Sequence, residues 1–351
     1  MENNNQQPPR KSRMIHTVLR IILVLLLLLS GFIFFALWYM VRCEGDWQGE
    51  SLEKQSTIDL DAIKKELQSD IAYLQELGPR NSENQMAFDQ LRKCEAWVIQ
   101  KWQSQGYSVK RHDASIRGRQ YYNLEIEIPG TTAPSEIIII SGQFDTLPDS
   151  PGANNNGSGM AVLFQLSKLL WNFHPQRTLR LLAFVNEEDP LFGTDMMGSY
   201  IYAKGCFERK ENIKVMLSLD AIGIYKDSPG TQMLPFPFSL FYPDRGNFLA
   251  FIGNLPSRNY VKEVTTGFKK GSSFPIRAGV APEWVEGVTW SDHSSFWKFG
   301  YPGVQITDTG AYRSASHTTK EDTMEKINFD ALSRIVVGMY CATIELTLMG
   351  S

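Results

Sequence analysis

The chain opens with a polar, basic segment and then runs without a charged residue over positions 21–41. At a rise of about 1.5 Å per residue, a helix of this length reaches roughly 30 Å, the thickness of the hydrocarbon core of a bilayer. Basic residues precede the run and acidic residues soon follow it, so the positive-inside rule directs the amino terminus to the cytoplasm. We therefore predict a cytoplasmic tail (1–20), a transmembrane signal anchor (21–41) and a main domain outside the cytoplasm.

A cleaved signal peptide and a buried core helix also give apolar runs near an amino terminus. The run over 21–41 is longer than the apolar part of a typical signal peptide, and no small-residue cleavage site follows it. Cys43 comes after Arg42 rather than after a small residue, which argues against a lipoprotein anchor. The pattern favours a single uncleaved membrane helix.

After the apolar run, the pattern changes to that of a folded domain. Residues 42–57 are polar and predict a linker, and residues 58–351 predict an α/β domain. Apolar residues at helical spacing predict helices over 59–77 and 82–105. Beyond them, strands and helices alternate. Strands are predicted over 107–111, 121–128, 137–141, 178–185, 215–220, 248–252 and 304–307, and helices over 157–172, 197–203, 256–268, 293–299 and 329–348.

The alternation predicts a mixed, mostly parallel sheet flanked by helices. The strands at 137–141 and 178–185 consist mainly of apolar residues, as expected when helices cover both faces of a sheet. In such sheets the functional site lies beyond the carboxyl ends of the strands. Three acidic clusters follow predicted strands, and we expect them to meet at this edge: Asp145, Glu187 with Glu188, and Asp220.

Charge and composition narrow the classes of function. The formal net charge is −3 and the basic residues beyond the amino-terminal group are scattered, which argues against nucleic acid as a partner because phosphate binding needs clustered positive charge. The 4 cysteines are far apart and form no metal-binding spacing. Trp284 and Trp290 flank a predicted loop, and we expect both in the core or in the wall of a pocket.

The adjacent glutamates after the strand at 178–185 have a specific chemical use. A co-catalytic zinc site needs imidazole and carboxylate ligands, one of which bridges two ions about 3.5–4 Å apart. It also needs a carboxylate that is not a ligand and that takes a proton from the attacking water as general base. The pair can divide these roles, with Glu187 as the base and Glu188 as a metal ligand.

Short motifs along the domain carry a resemblance to a known family. They are Gly78-Pro-Arg80, Ser141-Gly-Gln-Phe-Asp145, the stretch 151–159, Phe184-Val-Asn-Glu-Glu188, Leu219-Asp220, Ser291-Asp-His293 and Glu321-Asp-Thr323. In order and spacing they resemble metallopeptidase family twenty-eight, which includes the bacterial leucyl aminopeptidases, over about residues 60 to 348. The resemblance implies a zinc exopeptidase fold, zinc as cofactor, and release of amino-terminal residues from peptides.

The resemblance places the family's metal ligands on this chain one by one, and three of the five positions hold other residues. The first histidine falls on Gln143, the bridging aspartate on Asn155, and the final histidine on Thr318, directly after His317. An amide is a neutral and weak ligand for Zn²⁺, which prefers thiolate, imidazole and carboxylate groups. Asn155 also lacks the negative charge that allows two dications to lie close together.

The other positions keep the family's acidic residues. The general base falls on Glu187, and two further ligands fall on Glu188 and Asp220. A one-residue adjustment of the loop lets His317 serve as the missing imidazole. Asp145 and Asp292 fall on supporting positions, although a helix start explains Asp292 equally well. The resemblance therefore implies one weakly held divalent metal or none, rather than two zinc ions.

These substitutions favour a membrane-anchored pseudopeptidase that binds a peptide or protein ligand through a decayed metal centre. The first alternative is an active aminopeptidase that uses one metal and Glu187 as general base. A glutaminyl cyclase-like transferase with one zinc is a further alternative, and it requires ligands at Asn155, at Glu188 and at a histidine position.

Overall fold

A computed structural model describes residues 10–55 and 58–348, and the chain divides into two compact units, Met1–Arg42 and Cys43–Ser351. The described part of the first unit is the helix α1 (Arg10–Val41). Its segment Met14–Val41 is long and apolar enough to cross a membrane, by length and composition. The helix therefore begins within the predicted tail (1–20), of which residues 1–9 lie outside the described part of the chain.

The second unit is built on a single mixed sheet. Its strands are β1 (Lys110–Asp113), β2 (Tyr122–Ile128), β3 (Ala133–Gln143), β4 (Arg177–Phe184), β5 (Asn212–Leu219), β6 (Leu249–Gly253), β7 (Ile276–Val280) and β8 (Gly303–Thr307). They lie in the order β1-β2-β4-β3-β5-β8-β6-β7. The central strands β4, β3, β5 and β8 are parallel, and β1–β2, β2–β4 and β6–β8 are antiparallel pairs. This arrangement confirms the predicted mixed, mostly parallel α/β sheet.

Helices cover both faces of the sheet. They are α2 (Leu60–Leu77), α3 (Gln85–Ser104), α4 (Gly157–Leu169), α5 (Gly198–Glu208), α6 (Arg258–Gly271), α7 (His293–Trp297) and α8 (Phe329–Thr347). Helices α2, α4, α6 and α8 pack against one another, whereas α5 packs against α7. Side-chain caps explain several helix starts: Asp59, Asn84, Asn156 and Asn328 each accept from a backbone N–H of the first turn. Each cap contributes about 1 kcal/mol.

Two strands differ from the prediction. The edge strand β7 is absent from the predicted elements because Arg277 and Gly279 interrupt its short apolar run, which leaves no clear strand pattern. The first strand, predicted over 107–111, forms instead at Lys110–Asp113. Tyr107 is buried, and its hydroxyl donates to the Ser167 carbonyl at 2.8 Å, so this end of the predicted strand packs against the end of α4.

Residues 43–55 of the predicted linker (42–57) belong to the second unit. Cys43 is 1% exposed, and Leu52–Lys54 form a short turn of helix. Burial alone would raise the pKa of Glu53, but hydrogen bonds from Arg334 and two neighbouring serines lower it to about 2. The segment contacts the domain because its acidic side chain has charged and hydroxyl partners there, a pairing that composition does not reveal.

Candidate functional site

The candidate site lies at the carboxyl ends of neighbouring central strands. Gln143 is the last residue of β3, Glu187 and Glu188 come shortly after β4, and Asp220 follows β5 directly. Asn155 is in the loop that leads into α4. Because β4, β3 and β5 are adjacent in the sheet, the chain brings these side chains together at one edge.

Two buried charged residues hold the loop that carries Asn155. The guanidinium of Arg80 is 1% exposed, and it donates to the carbonyl oxygen of Pro151 at 2.9 Å. On the other side of the loop, the two carboxylate oxygens of Asp322 accept from the backbone N–H groups of Asn154 and Asn155, each at 2.9 Å. The loop therefore has fixed attachments on both sides, made by residues of the Gly-Pro-Arg and Glu-Asp-Thr motifs.

A relay of side-chain amides fixes the orientation of Gln143. The Oδ1 atom of Asn156 accepts from the Gly159 backbone N–H at 3.0 Å, so its Nδ2 points the other way and donates to Oε1 of Gln143. The Nε2 of Gln143 therefore faces the acidic residues, and it donates to Glu187 Oε2 at 3.2 Å and to Asp220 Oδ1 at 3.5 Å. A flipped Gln143 amide would bring two NH₂ groups together. The relay thus presents N–H groups, and not an oxygen lone pair, to the two carboxylates.

Asn155 makes a similar contact with the next glutamate. Its Nδ2 donates to Glu188 Oε1 at 2.7 Å. Its Oδ1 is buried and has no hydrogen-bond partner among the described residues. Neutral amide groups therefore contact Glu187, Glu188 and Asp220, the residues to which the sequence assigns the base and two ligands.

Burial and mutual repulsion raise the pKa values of these acids. Burial, followed by the carboxylates of Asp220 and Glu188, raises the pKa of Glu187 well above its ordinary value. Asp145 accepts from the backbone N–H groups of Glu187 and Glu188 at 2.9 and 3.2 Å, but burial still raises its pKa to about 6. Burial also raises the pKa of Asp220 to about 6, although His317 opposes the shift. The cluster therefore holds protons that exposed carboxylic acids would release.

Asp292 lies within electrostatic range of the cluster. It is 0% exposed, and neither carboxylate oxygen has a hydrogen-bond partner of good geometry among the described residues. Burial raises its pKa well above the ordinary value; the Ser199 hydroxyl opposes the shift, and Asp220 and Asp145 add to it. Asp292 makes no side-chain capping bond to α7. Asp292 therefore precedes α7 without capping it through its side chain, and its supporting role at the cluster stays a prediction.

The structure distinguishes between the two candidate positions for the final histidine. Burial raises the pKa values of Asp220 and Asp322, and His317 lies close enough to both to oppose the rise. The Nδ1 of His317 is buried with no hydrogen-bond partner among the described residues. The Thr318 hydroxyl donates to the carbonyl oxygen of His317 at 2.7 Å. His317, and not Thr318, therefore lines the cavity beside Asp220 and keeps a buried nitrogen without a hydrogen-bond partner among the described residues.

An apolar cavity of about 120 Å³ adjoins the acidic cluster. Asp220 and His317 line it on the polar side. Trp290 and Tyr312 form one wall, with their rings stacked at a centroid distance of 5.3 Å and an angle of 10°. The rest of the lining is mainly apolar and includes Leu234, Phe238, Phe251, Val280 and Val285. An apolar pocket with a few polar groups at one end is the usual form of a small-ligand site.

Some parts of the site have little or no signal in the sequence. Nothing distinguishes Asn156 from an ordinary turn residue until its contact with Gln143 is seen. Asp308, which directly follows β8, accepts from Asn154 Nδ2 at 2.9 Å, and its place after a strand is only a weak indication of a role. The prediction for Trp290 is confirmed, because it lines the cavity. The prediction for Trp284 is wrong, because its side chain stands out from a surface loop and is 84% exposed.

Comparisons with known proteins identify a family. The model of peptidase family M28 matches residues 123–341. The uncharacterized protein YfbL of Escherichia coli (strain K12) is 31% identical over 288 residues, which cover 79% of this chain and 87% of that protein. A probable zinc metalloprotease of Pyrenophora teres f. teres is 24% identical over 245 residues, which cover 61% of this chain and 49% of that protein.

A comparison of folds leads to the same group of proteins. The crystal structure of the Legionella pneumophila LapA aminopeptidase superposes with a TM-score of 0.64 at 15% identity, and the match covers 87% of this chain and 77% of that one. At this identity the likeness shows the fold alone. The family model matches well over half of the chain, so this chain belongs to peptidase family M28.

Proposed function

We propose that this protein is a membrane-anchored, extracytoplasmic member of the family whose metal centre is degenerate, and that it binds peptide or protein ligands rather than cleaving them. The amide relay carries the proposal. The Gln143 Nε2 lies between Glu187 and Asp220, and Asn156 fixes its orientation. An N–H group at this point competes with a metal ion for the same carboxylate lone pairs.

The set of donor atoms does not fit two zinc ions. Gln143, Asn155 and Thr318 supply neutral groups where zinc prefers imidazole and carboxylate. In the described part of the chain, no group of three or more His, Cys, Asp and Glu side chains is arranged to hold a metal ion. Glu188 instead accepts from an amide of Asn155. These contacts support a site that is filled by the protein's own hydrogen-bond donors.

The chemistry of the site favours one class of ligand. Asp220 lies where the acidic cluster meets the apolar cavity, and burial raises its pKa to about 6. A cation bound there would replace the proton and relieve the repulsion among the acids. A peptide amino terminus offers an ammonium group next to its first side chain, so an apolar amino-terminal residue fits both parts of the site.

The membrane helix supports the proposed location. Met14–Val41 is long and apolar enough to span a bilayer, and the distribution of basic and acidic residues around it favours a cytoplasmic amino terminus. A membrane-spanning protein resists extraction at alkaline pH, whereas a peripheral protein is released. We expect the full chain to remain with the membrane pellet after carbonate washing, and its release would contradict the anchor.

An active aminopeptidase is the second candidate, and unpartnered atoms favour it. Asn155 Oδ1, Asp145 Oδ1 and His317 Nδ1 are buried and have no hydrogen-bond partner among the described residues. A single divalent ion held by Glu188, His317 and water would supply Lewis-acid chemistry when bound. In that case the raised pKa of Glu187 suits a general base, because a more basic carboxylate takes a proton from the attacking water more readily.

Metal analysis and peptide binding separate the two candidates. The full chain in detergent is incubated with zinc, passed through a gel-filtration column and analysed for metal, and hydrolysis of leucyl p-nitroanilide is then measured for the parent and for Glu187→Gln. A pseudopeptidase holds less than about 0.1 zinc ion per chain, shows no hydrolysis above that of the variant, and binds a leucyl peptide more tightly than its amino-acetylated form. One bound ion together with chelator-sensitive hydrolysis that Glu187→Gln abolishes would overturn the proposal and establish the peptidase.

A further inference from the structure

The segment 233–242 presents an exposed apolar surface. It contains no charged residue, and Met233, Phe236 and Leu240 are 70%, 80% and 70% exposed. Scattered exposed apolar residues are normal in soluble domains, but a continuous group of large ones marks an interaction surface. The segment therefore requires a partner that covers it.

Packing on its inner side holds the segment in place. Leu234 and Phe238 line the apolar cavity, and the Tyr242 hydroxyl donates to the carbonyl oxygen of Ala278 on β7 at 3.0 Å. Val285 lines the same cavity, and Trp284 beside it is 84% exposed. Half-buried side chains alternate with exposed ones along the segment. We call the large exposed apolar side chains here the apolar tip: Met233, Phe236, Leu240, Phe241 and the neighbouring Trp284.

The segment that carries the apolar tip is close to the first residues of the domain. Arg277 lines the apolar cavity with Tyr242, and it also lines a second groove together with Glu44 and Trp47. Glu44 is fixed there by an ion pair with Lys269 at 2.6 Å. Cys43 and Glu44 are near enough to Tyr242 to add to the effect of burial, which raises the pKa of that phenol. The chain thus enters the domain beside this segment.

We propose that the apolar tip inserts into the interfacial layer of the membrane that the anchor helix spans. The proposal rests on the proposed membrane anchor. Helix α1 ends at Val41 and the second unit begins at Cys43, so only Arg42 separates the end of the proposed anchor from the domain along the chain.

The composition of the apolar tip suits a bilayer interface. Aromatic side chains are enriched where headgroups meet acyl chains, and an apolar surface gains free energy when it enters this layer. Glu283 and Glu286 flank Trp284, and their charges limit the depth that this side of the tip can reach. A second copy of the chain could cover the apolar tip instead of the membrane. Direct contact between the tip and lipid distinguishes the two.

Depth-dependent fluorescence in liposomes tests the proposal on the full chain. Met233→Cys and Met86→Cys are prepared in a Cys341→Ser background, since the other cysteines are buried. Met86 is the matched control because it is 75% exposed and begins α3, which lies toward the β1–β2 end of the sheet. Each is labelled with an environment-sensitive dye and reconstituted with phosphatidylcholine and phosphatidylglycerol. Lipids that carry a nitroxide on the upper acyl chain are then added as quencher.

We expect a blue-shifted emission and at least about three-fold stronger lipid quenching at position 233 than at position 86. Equal quenching at the two positions, or none at position 233, overturns the proposal. If the emission shifts to the blue without lipid quenching, and this shift grows with protein density, the apolar tip contacts a second copy of the chain. That result also overturns the proposal. Flotation of the same liposomes tests the anchor separately: a chain that does not float refutes both proposals, whereas a chain that floats without quenching refutes only insertion of the tip.

Discussion

Two groups of buried carboxylates in this domain have pKa values shifted in opposite directions. At the antiparallel edge of the sheet, Glu125 is 1% exposed, and hydrogen bonds from His112 and Tyr202 together with the charge of Arg180 outweigh burial and lower its pKa to about 2. In the candidate site, Glu187 is 4% exposed, and its pKa is raised well above the ordinary value. Glu125 and Glu187 are buried to a similar extent, so burial alone does not decide the direction of the pKa shift.

The difference lies in the charge of the hydrogen-bond donors. Arg180 pairs with Glu127 and with Glu211, each at 2.8 Å, and its guanidinium supplies a full positive charge. Gln143 donates to Glu187 at 3.2 Å but supplies no charge. Hydrogen bonds favour the charged form of both carboxylates, but at Glu125 a nearby cation adds to them, whereas at Glu187 burial and the repulsion from Asp220 and Glu188 outweigh a neutral amide donor. The candidate site therefore retains a demand for positive charge that a cationic ligand can meet.

The largest expected effect on stability comes from removing Arg180, the cation beside Glu125. In Arg180→Met, the buried Glu125 and its neighbours lose their guanidinium, and we expect the free energy of unfolding to fall by about 4 kcal/mol. Denaturant titration of the purified chain measures this loss. Arg209→Met is the control, because Arg209 also contacts Glu211 but is 51% exposed, and we expect a loss below about 1 kcal/mol. Equal losses in the two variants would refute the comparison.

The converse change adds metal ligands to the carboxylates of the candidate site, which lack a cationic partner. The double variant Gln143→His, Asn155→Asp restores an imidazole and a carboxylate next to His317, and we expect zinc to bind at least about 100-fold more tightly than to the parent. Isothermal titration of the full chain provides the measurement. The control Gln143→Leu removes the amide without adding a ligand and is expected to give no gain. If the double variant bound zinc no better than the parent, the assignment of these positions to metal ligands would be wrong.

The dependence of stability on pH in the acid range tests the contribution of Glu125 while Arg180 stays in place. Glu125 has a folded-state pKa of about 2, below the ordinary value of 4.5, so the unfolded chain binds more protons between these values. Its contribution is complete above pH 4.5 and is lost as the pH falls toward 2, at a cost of roughly 2–3 kcal/mol. We expect Glu125→Gln to unfold with a shallower dependence on pH in this range. An unchanged slope would show that Glu125 does not contribute.

The sequence predicts the position of the site better than its internal contacts. The order of strands brings Asp145, Glu187 and Asp220 to one edge, because carboxyl ends of adjacent parallel strands coincide. The relay from Asn156 to Gln143 depends on two side-chain orientations in different elements, which no local pattern encodes. The edge strand β7 and the exposure of Trp284 are missed for a related reason: both depend on what neighbouring segments cover.

The smallest predicted effect on stability concerns Asp292, whose carboxylate has neither a cationic partner nor an amide donor among the described residues. Asp292 is completely buried and its pKa is raised well above 3.8, so the folded chain binds more protons than the unfolded one as the pH rises above that value. The stability linked to this group is therefore present at low pH and is lost as the pH rises. We expect Asp292→Asn to raise the free energy of unfolding by about 1 kcal/mol at pH 8 and to have little effect at pH 3.5.

Asp330→Asn is the control for this change, since Asp330 is 80% exposed and pairs with Lys64 at the surface. We expect its effect to stay within about 0.5 kcal/mol at both pH values. A loss of stability in Asp292→Asn at pH 8 would mean that the carboxylate has a favourable partner in the folded chain. In that case the demand for positive charge at the candidate site would already be met, and the argument for a cationic peptide terminus as the ligand would lose its physical basis.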